Sequence, residues 1–156
     1  MRITAQVDYA VRALVELARR EADPAAKLPV KAQLVAEAIG VPTTSLEDVL
    51  AGLRRSSIVR SQRGADGGWR LQLPAEDIDI ARVIRAIEGP LAAIQGLRPD
   101  QLDYPPSDAA LQRMWIAVRA NLRDVLEHTT IADLRDGKLP GAVDALADPA
   151  ENWLPH

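Results

Sequence analysis

Cysteine is absent from the 156 residues. That excludes disulfides, thiolate metal sites, cysteine-held iron–sulfur clusters and a cysteine nucleophile. Histidine is nearly absent, with two copies at positions 128 and 156. A histidine metal site or a Ser-His-Asp triad therefore lacks its parts. Long apolar runs are missing as well. The longest uncharged stretches, Ala38–Leu46 and Gly89–Leu97, are nine residues each, against roughly 20 for a helix that crosses a bilayer. Asp8, Arg12 and Glu16 interrupt the segment where a signal peptide would carry its apolar region. No nucleophile–base pair and no strand-to-helix phosphate loop is visible. These absences lead us to expect a cytoplasmic chain that is not an enzyme, has no membrane partner and holds neither cofactor nor metal.

What is present describes a folded domain. Hydrophobic residues make up 47% and charged residues 26%, which is the globular range. The length fits one domain, or one domain with an appendage. The net charge of −3 argues against a nucleic-acid partner until its distribution is examined. Residues 1–75 carry 11 Lys+Arg against 8 Asp+Glu, and residues 76–156 carry 8 against 14. Between Arg54 and Arg70 there are five arginines against the single Asp66. A local basic stripe is what phosphate contacts need.

The apolar period predicts a mostly helical chain with one small β-hairpin. Thr4 can cap a first helix over about 4–20, with Val7, Val11, Leu14, Val15 and Ala18 inward and an Asp8–Arg12–Glu16 ion ladder on the solvated face. Residues 21–29 read as a loop. A second helix over about 31–39 turns Leu34, Val35, Ala38 and Ile39 inward and ends at Gly40. A third begins near Pro42–Thr44, where Thr44 and Glu47 stand at capping-box spacing. It buries Leu46, Val49, Leu50 and Leu53 and runs to about Arg55. Residues 58–62 and 69–73 read as strands around the glycine-rich turn Arg63–Gly68. Asp79 caps a fourth helix that ends at Gly89-Pro90. After a loop, a long helix over about Ser107–His128 carries Leu111, Trp115, Val118, Leu122, Val125 and Thr129 at steps of 4, 3, 4, 3, 4. That seam is longer than one core face requires and predicts helix pairing between two copies. A short helix closes at Gly137, and residues 138–156 form a tail with one helical turn near Ala142–Leu146.

Helix, helix, sharp turn, helix, hairpin is the order of a winged helix-turn-helix. The third helix can enter a major groove with Thr43, Thr44, Ser45, Glu47, Asp48, Arg54 and Arg55 exposed. The hairpin is the wing, with Arg60, Arg63 and Arg70 supplying charge and Gly67 and Gly68 permitting close backbone approach. The other reading is a winged-helix interaction module that no longer binds DNA; it would tend to lose the arginine stripe and show apolar residues there.

Several segments resemble one bacterial regulator family: Met1-Arg2-Ile3-Thr4, Tyr9–Leu14, Val35-Ala36-Glu37, Gly40-Val41-Pro42, Ser45-Leu46-Glu47 and Leu53-Arg54-Arg55. So do Ile58–Gly64 with Gly67–Leu71, Ile84–Pro90, and Leu111 with Met114-Trp115. The chain is similar over about residues 1–136 to the Rrf-two-type winged helix-turn-helix regulators. The resemblance implies a homodimeric repressor or activator on a palindromic operator, with Arg2 added to the DNA-contacting residues and the long C-terminal helix pairing the subunits. Many members carry three cysteines in the loop that corresponds to residues 91–110, and this chain has none. Ser45 and Trp69 stand where tyrosine is usual. The resulting expectation is a DNA-binding domain over 1–90, a connecting loop over 91–106, a dimerisation helix and short following helix over 107–137, and a tail over 138–156. The partners would be double-stranded DNA, a second copy, and a small-molecule or protein effector. Leu91, Ile94, Leu97, Leu102, Tyr104 and Trp115 could line an apolar effector pocket.

Overall fold

A computed structural model describes residues 3–149 and Asn152. Its described elements are α1 (Ala5–Ala22), α2 (Ala32–Ile39), α3 (Thr43–Arg55), β1 (Val59–Gln62), β2 (Gly68–Leu71), α4 (Ile80–Glu88), α5 (Ala109–Glu127), α6 (Ile131–Asp136) and α7 (Gly141–Ala147). The expected class, mostly helical with one hairpin, is the observed one. The tail carries α7, longer than the single turn its sequence suggested.

Helix α1 is the axle of the fold. Thr4 caps it by accepting from the Val7 amide. The helix touches α2, α3, α4, α6 and β2. Contact on so many sides explains why its buried set is wider than the predicted stripe, with Ala10, Ala13 and Leu17 added. The core joins Leu14, Leu17, Leu46, Leu50, Leu53, Ile58 and Ile78, all fully buried. Helix α2 departs from its predicted stripe. Val35, Ala36 and Ile39 are buried, whereas Leu34 and Ala38 are exposed. Leu34 instead borders a recess with Lys27, Val30 and the wing residues Ala65 and Gly67.

The reversal between α2 and α3 is made at Gly40, which takes the left-handed conformation at φ 69°. That conformation costs glycine little and other residues more. The predicted capping box at the start of α3 is not formed. Pro42 is the N-cap, the helix begins at Thr43, and no side chain caps it. Thr44 and Glu47 are therefore not consumed by the helix terminus.

Strands β1 and β2 pair antiparallel, with Val59 opposite Leu71, Arg60 opposite Arg70, Ser61 opposite Trp69 and Gln62 opposite Gly68. Alternation along the strands turns Val59 and Leu71 into the core and puts Arg60 and Arg70 on the other face. A third backbone joins this hairpin at Val30, between the loop over 21–29 and α2. The Val30 amide donates to the Trp69 carbonyl at 2.9 Å, and the Trp69 amide donates to the Val30 carbonyl at 2.7 Å.

After α5 the chain returns to the core. The Ile80 amide donates to the Thr129 carbonyl and the Ile131 amide to the Ile78 carbonyl, each at 2.9 Å. Ile131 is fully buried beside α1. Thr130 and Asp133 form a reciprocal capping box on α6, and Gly137 ends that helix in the left-handed conformation.

Candidate nucleic-acid interface

The exposed side of α3 divides into two rows by its helical period. Thr44, Asp48 and Arg55 run along one line, and Thr43, Glu47 and Arg54 along the neighbouring line. Leu46, Val49 and Leu53 hold the opposite side in the core. Arg54 links the helix to the wing. It donates to the Ser61 hydroxyl at 3.2 Å, and its guanidinium lies 5.9 Å from the centre of the Trp69 ring. A cation over an indole face is held by the ring quadrupole. Arg54 is thus both an exposed cation and a side chain that bridges α3 and the hairpin.

The remaining predicted residues take different stations. Arg60 and Arg63 are exposed on the wing, and Arg55 is exposed at the end of α3. Arg70 is turned back onto α1, with its Nε 3.8 Å from the Glu21 carboxylate. Gly67 is buried; its amide donates to the Gly64 carbonyl at 2.9 Å, and a side chain there would meet the Gln62 carbonyl. Gly68 lies against Val30, whose carbonyl oxygen would be 2.5 Å from a Cβ. Both glycines therefore answer to contacts inside the protein. Arg2 lies outside the described residues. Thr43 and Ser45 are half-buried, Thr44 and Glu47 exposed.

Three supporting residues were not singled out by the sequence for their actual roles. Arg12, expected only in an exposed ion ladder, pairs with Asp8 at 3.4 Å and also donates to the Ile39 carbonyl at the end of α2. Glu16 pairs with Arg20 at 2.7 Å instead. Glu21 accepts from the Leu71 amide at 2.9 Å, tying the wing to α1. Lys27 reaches Asp66 at 3.3 Å and offsets the one acidic residue of the wing turn. The Arg12–Ile39, Lys27–Asp66 and Glu21–Leu71 contacts span 27 to 50 residues of chain, and a local pattern carries no signal for them.

Helix α5 has no buried residue. Leu111, Met114 and Val118 are 41%, 45% and 41% exposed, whereas Trp115, Leu122 and Val125 are half-buried. Leu111 and Val118 of the expected seam thus form an uncovered apolar row with Met114, Ile116 is 42% exposed on another side of the helix, and Trp115, Leu122 and Val125 are partly covered within the protomer. The six residues expected at an effector pocket are not gathered into the core. Leu91 alone is buried, lining a recess of about 70 Å³ with Val7 and Ile84, while Leu97 is 47% exposed.

Helices α4 and α5 are joined by Glu127, which accepts from Arg123 at 3.0 Å and from Arg85 of α4. The hydrogen bond from Arg123, then that from Arg85, lowers the Glu127 carboxyl from 4.5 to about 2. A depressed carboxylate contributes stability above its ordinary range and loses it as pH falls through the folded value. Glu127→Gln should therefore flatten the acid side of a thermal-midpoint profile between about pH 4.5 and 2. Parallel profiles of the two proteins across that window would count against the link.

The chain matches the Rrf2 family, described as iron-dependent transcriptional regulators, over residues 3–137. The chain belongs to the Rrf2 family. It is 44% identical over 148 residues to a candidate HTH-type transcriptional regulator of Mycobacterium tuberculosis, covering 95% of this chain and 89% of that protein. Its fold is similar to CymR, the global cysteine regulator of B. subtilis, with TM-score 0.72 at 25% identity over 88% of this chain and 98% of that one. It is also similar to T. potens IscR, with TM-score 0.68 at 26% identity over 99% and 97%. This Rrf2-family chain is a DNA-binding transcriptional regulator with a winged helix. The iron in the family description does not fit its donors. The chain has no thiolate, its histidines stand at 128 and 156, and the described residues contain no group of three His, Cys, Asp or Glu able to hold a metal ion. No described helix is long and apolar enough to cross a membrane.

Proposed function

We propose that this Rrf2-family protein is a homodimeric, sequence-specific repressor. Each protomer sets the start of α3 in the major groove of one half of a palindromic operator. The wings carrying Arg60 and Arg63 lie along the flanking phosphates, and no iron–sulfur cluster takes part. The observation that supports this reading best is the α3 surface itself. An uncapped helix start with free Thr44 and Glu47 stands beside a wing that Arg54 bridges to α3. The uncovered apolar row of α5 supports pairing of two copies, because such a row is stable when a second helix covers it. Selection of bound sequences from a random DNA pool at stated salt tests the reading. A palindrome is expected, and absence of any enriched sequence would overturn it. Repression is tested by placing that palindrome over a reporter promoter; an unchanged or raised output removes the repressor assignment.

Two outcomes follow for single residues. Glu47 can accept from a cytosine amino group, so Glu47→Ala should relax discrimination at one base pair per half-site by roughly 1–3 kcal/mol. The measurement is the full base-preference profile of wild type and variant; identical profiles remove Glu47 from the readout. Two wings and two α3 helices can neutralise on the order of 6–10 phosphates. Arg63→Ala should weaken binding to all sequences nearly alike and reduce the log–log salt slope by about 1 per subunit. A slope equal to wild type would place Arg63 away from the backbone of the DNA.

A further inference from the structure

On the side of α5 away from the uncovered apolar row lies a recess of about 270 Å³ lined by Arg98, Asp100, Ile116, Arg119, Ala120 and Arg123. Ile116, Arg119, Ala120 and Arg123 form one stripe at i, i+3, i+4 and i+7. Leu111, Met114 and Val118 form another, and the 3.6-residue period puts the two on nearly opposite sides of the helix. A partner covering the apolar row therefore leaves the recess open.

Its charges do not balance. Arg98 pairs with Asp100 at 2.9 Å, Arg123 pairs with Glu127, and Arg119 donates to the Leu91 carbonyl. The lining itself holds three guanidiniums, Arg98, Arg119 and Arg123, against the one carboxylate of Asp100. The surplus is two positive charges around a concave site, and planar guanidinium forks match carboxylate and phosphate oxygens. Ile116 and Ala120 add an apolar wall. We propose that this recess binds a small organic dianion, a dicarboxylate or a phosphate ester. Arg98, Arg119 and Arg123 hold its charged ends, and Ile116 and Ala120 face its carbon skeleton.

The same contacts supply a route to the DNA-binding half. An anion that draws Arg123 away from Glu127 takes one of the two donors off that carboxylate oxygen and resets the bridge from α5 to Arg85 on α4. Drawing on Arg119 disturbs its hold on the Leu91 carbonyl, at the buried start of the connecting loop. The ligand thus alters how α5 sits against the winged helix. That second step rests on the DNA-binding reading; the binding step does not.

Binding is tested on the full chain without DNA. Thermal unfolding is followed in 20 mM inorganic phosphate, in 20 mM succinate, and in sodium chloride of matched ionic strength. At least one dianion should raise the midpoint by about 2–4 °C over chloride. Phosphate alone acting assigns the site to phosphate esters, and succinate alone to dicarboxylates. The Arg98→Gln/Arg123→Gln variant changes two half-exposed side chains and should lose the shift. Arg60→Ala/Arg63→Ala on the wing should keep it. No shift beyond chloride for either anion, or a shift retained by the recess variant, overturns the site. The coupling is read as operator affinity with and without the active anion. A change of about fivefold or more is expected in wild type and none in the recess variant. Binding without any change in operator affinity overturns the coupling and leaves the site.

Discussion

Replacing Leu111 and Val118 together with glutamate should turn a dimer of 16.9 kDa chains into monomers and lower operator affinity at least about 100-fold. Both side chains are about two-fifths exposed in a single protomer, so a carboxylate at either position reaches water in the monomer. Four carboxylates brought into one apolar seam would have to be buried unpaired, which costs far more than the contact returns. The size of the affinity loss follows from valence. A dimer engages its second half-site as an intramolecular event, and a monomer forfeits that gain without losing any of its own base contacts. Leu122 is a poorer choice for this test, because it is half-buried within its own protomer and its loss confounds folding with assembly. The checks are sedimentation, circular dichroism and a binding titration on the selected operator. A folded variant that remains dimeric would place the subunit contact elsewhere. A folded monomer with full operator affinity would remove the dimer from the mechanism.

Gly68→Ala should destabilise the protein by about 3 kcal/mol and loosen the wing. A Cβ at this position would stand 2.5 Å from the Val30 carbonyl oxygen and 3.0 Å from the Lys31 amide nitrogen. These are backbone atoms, so no side chain can swing aside. The clash can be relieved only by separating Trp69 from Val30, which breaks the two hydrogen bonds between them. Trp69 is also the ring beneath Arg54, so the bridge between α3 and the wing is disturbed with it. Operator affinity should fall even at temperatures where the variant is folded. Gly141→Ala is the matched control. A Cβ there meets nothing within 4 Å, and a change within about 0.5 kcal/mol is expected at such a surface position. Urea unfolding of both variants gives the comparison. Equal stability of the two would mean that the Val30 pairing contributes little.

The helical elements, their order and the face that α3 turns outward are legible in the letters, because these depend on local periods and on capping chemistry. Thr4 and Asp79 cap where their hydroxyl and carboxylate stand before an apolar period. Gly40 reverses the chain where the second period stops. The arginine-rich hairpin and the missing thiolates are equally plain in the letters. Which residues meet across the chain is set only when it folds. Leu34 is apolar and at helical spacing, yet it is exposed because α2 touches its neighbours through Val35, Ala36 and Ile39. Arg70 belongs to the basic stripe in the sequence, but its Nε faces the Glu21 carboxylate, on the last turn of α1, at 3.8 Å. Gly68 looks like a groove-facing glycine until Val30, between the loop over 21–29 and α2, is found against it. Ile131 follows the long helix and still completes the core beside α1. A period of 3.6 fixes which side chains share a face of one element. Which of those faces is covered depends on contacts between residues tens of positions apart, and only the folded chain brings them together.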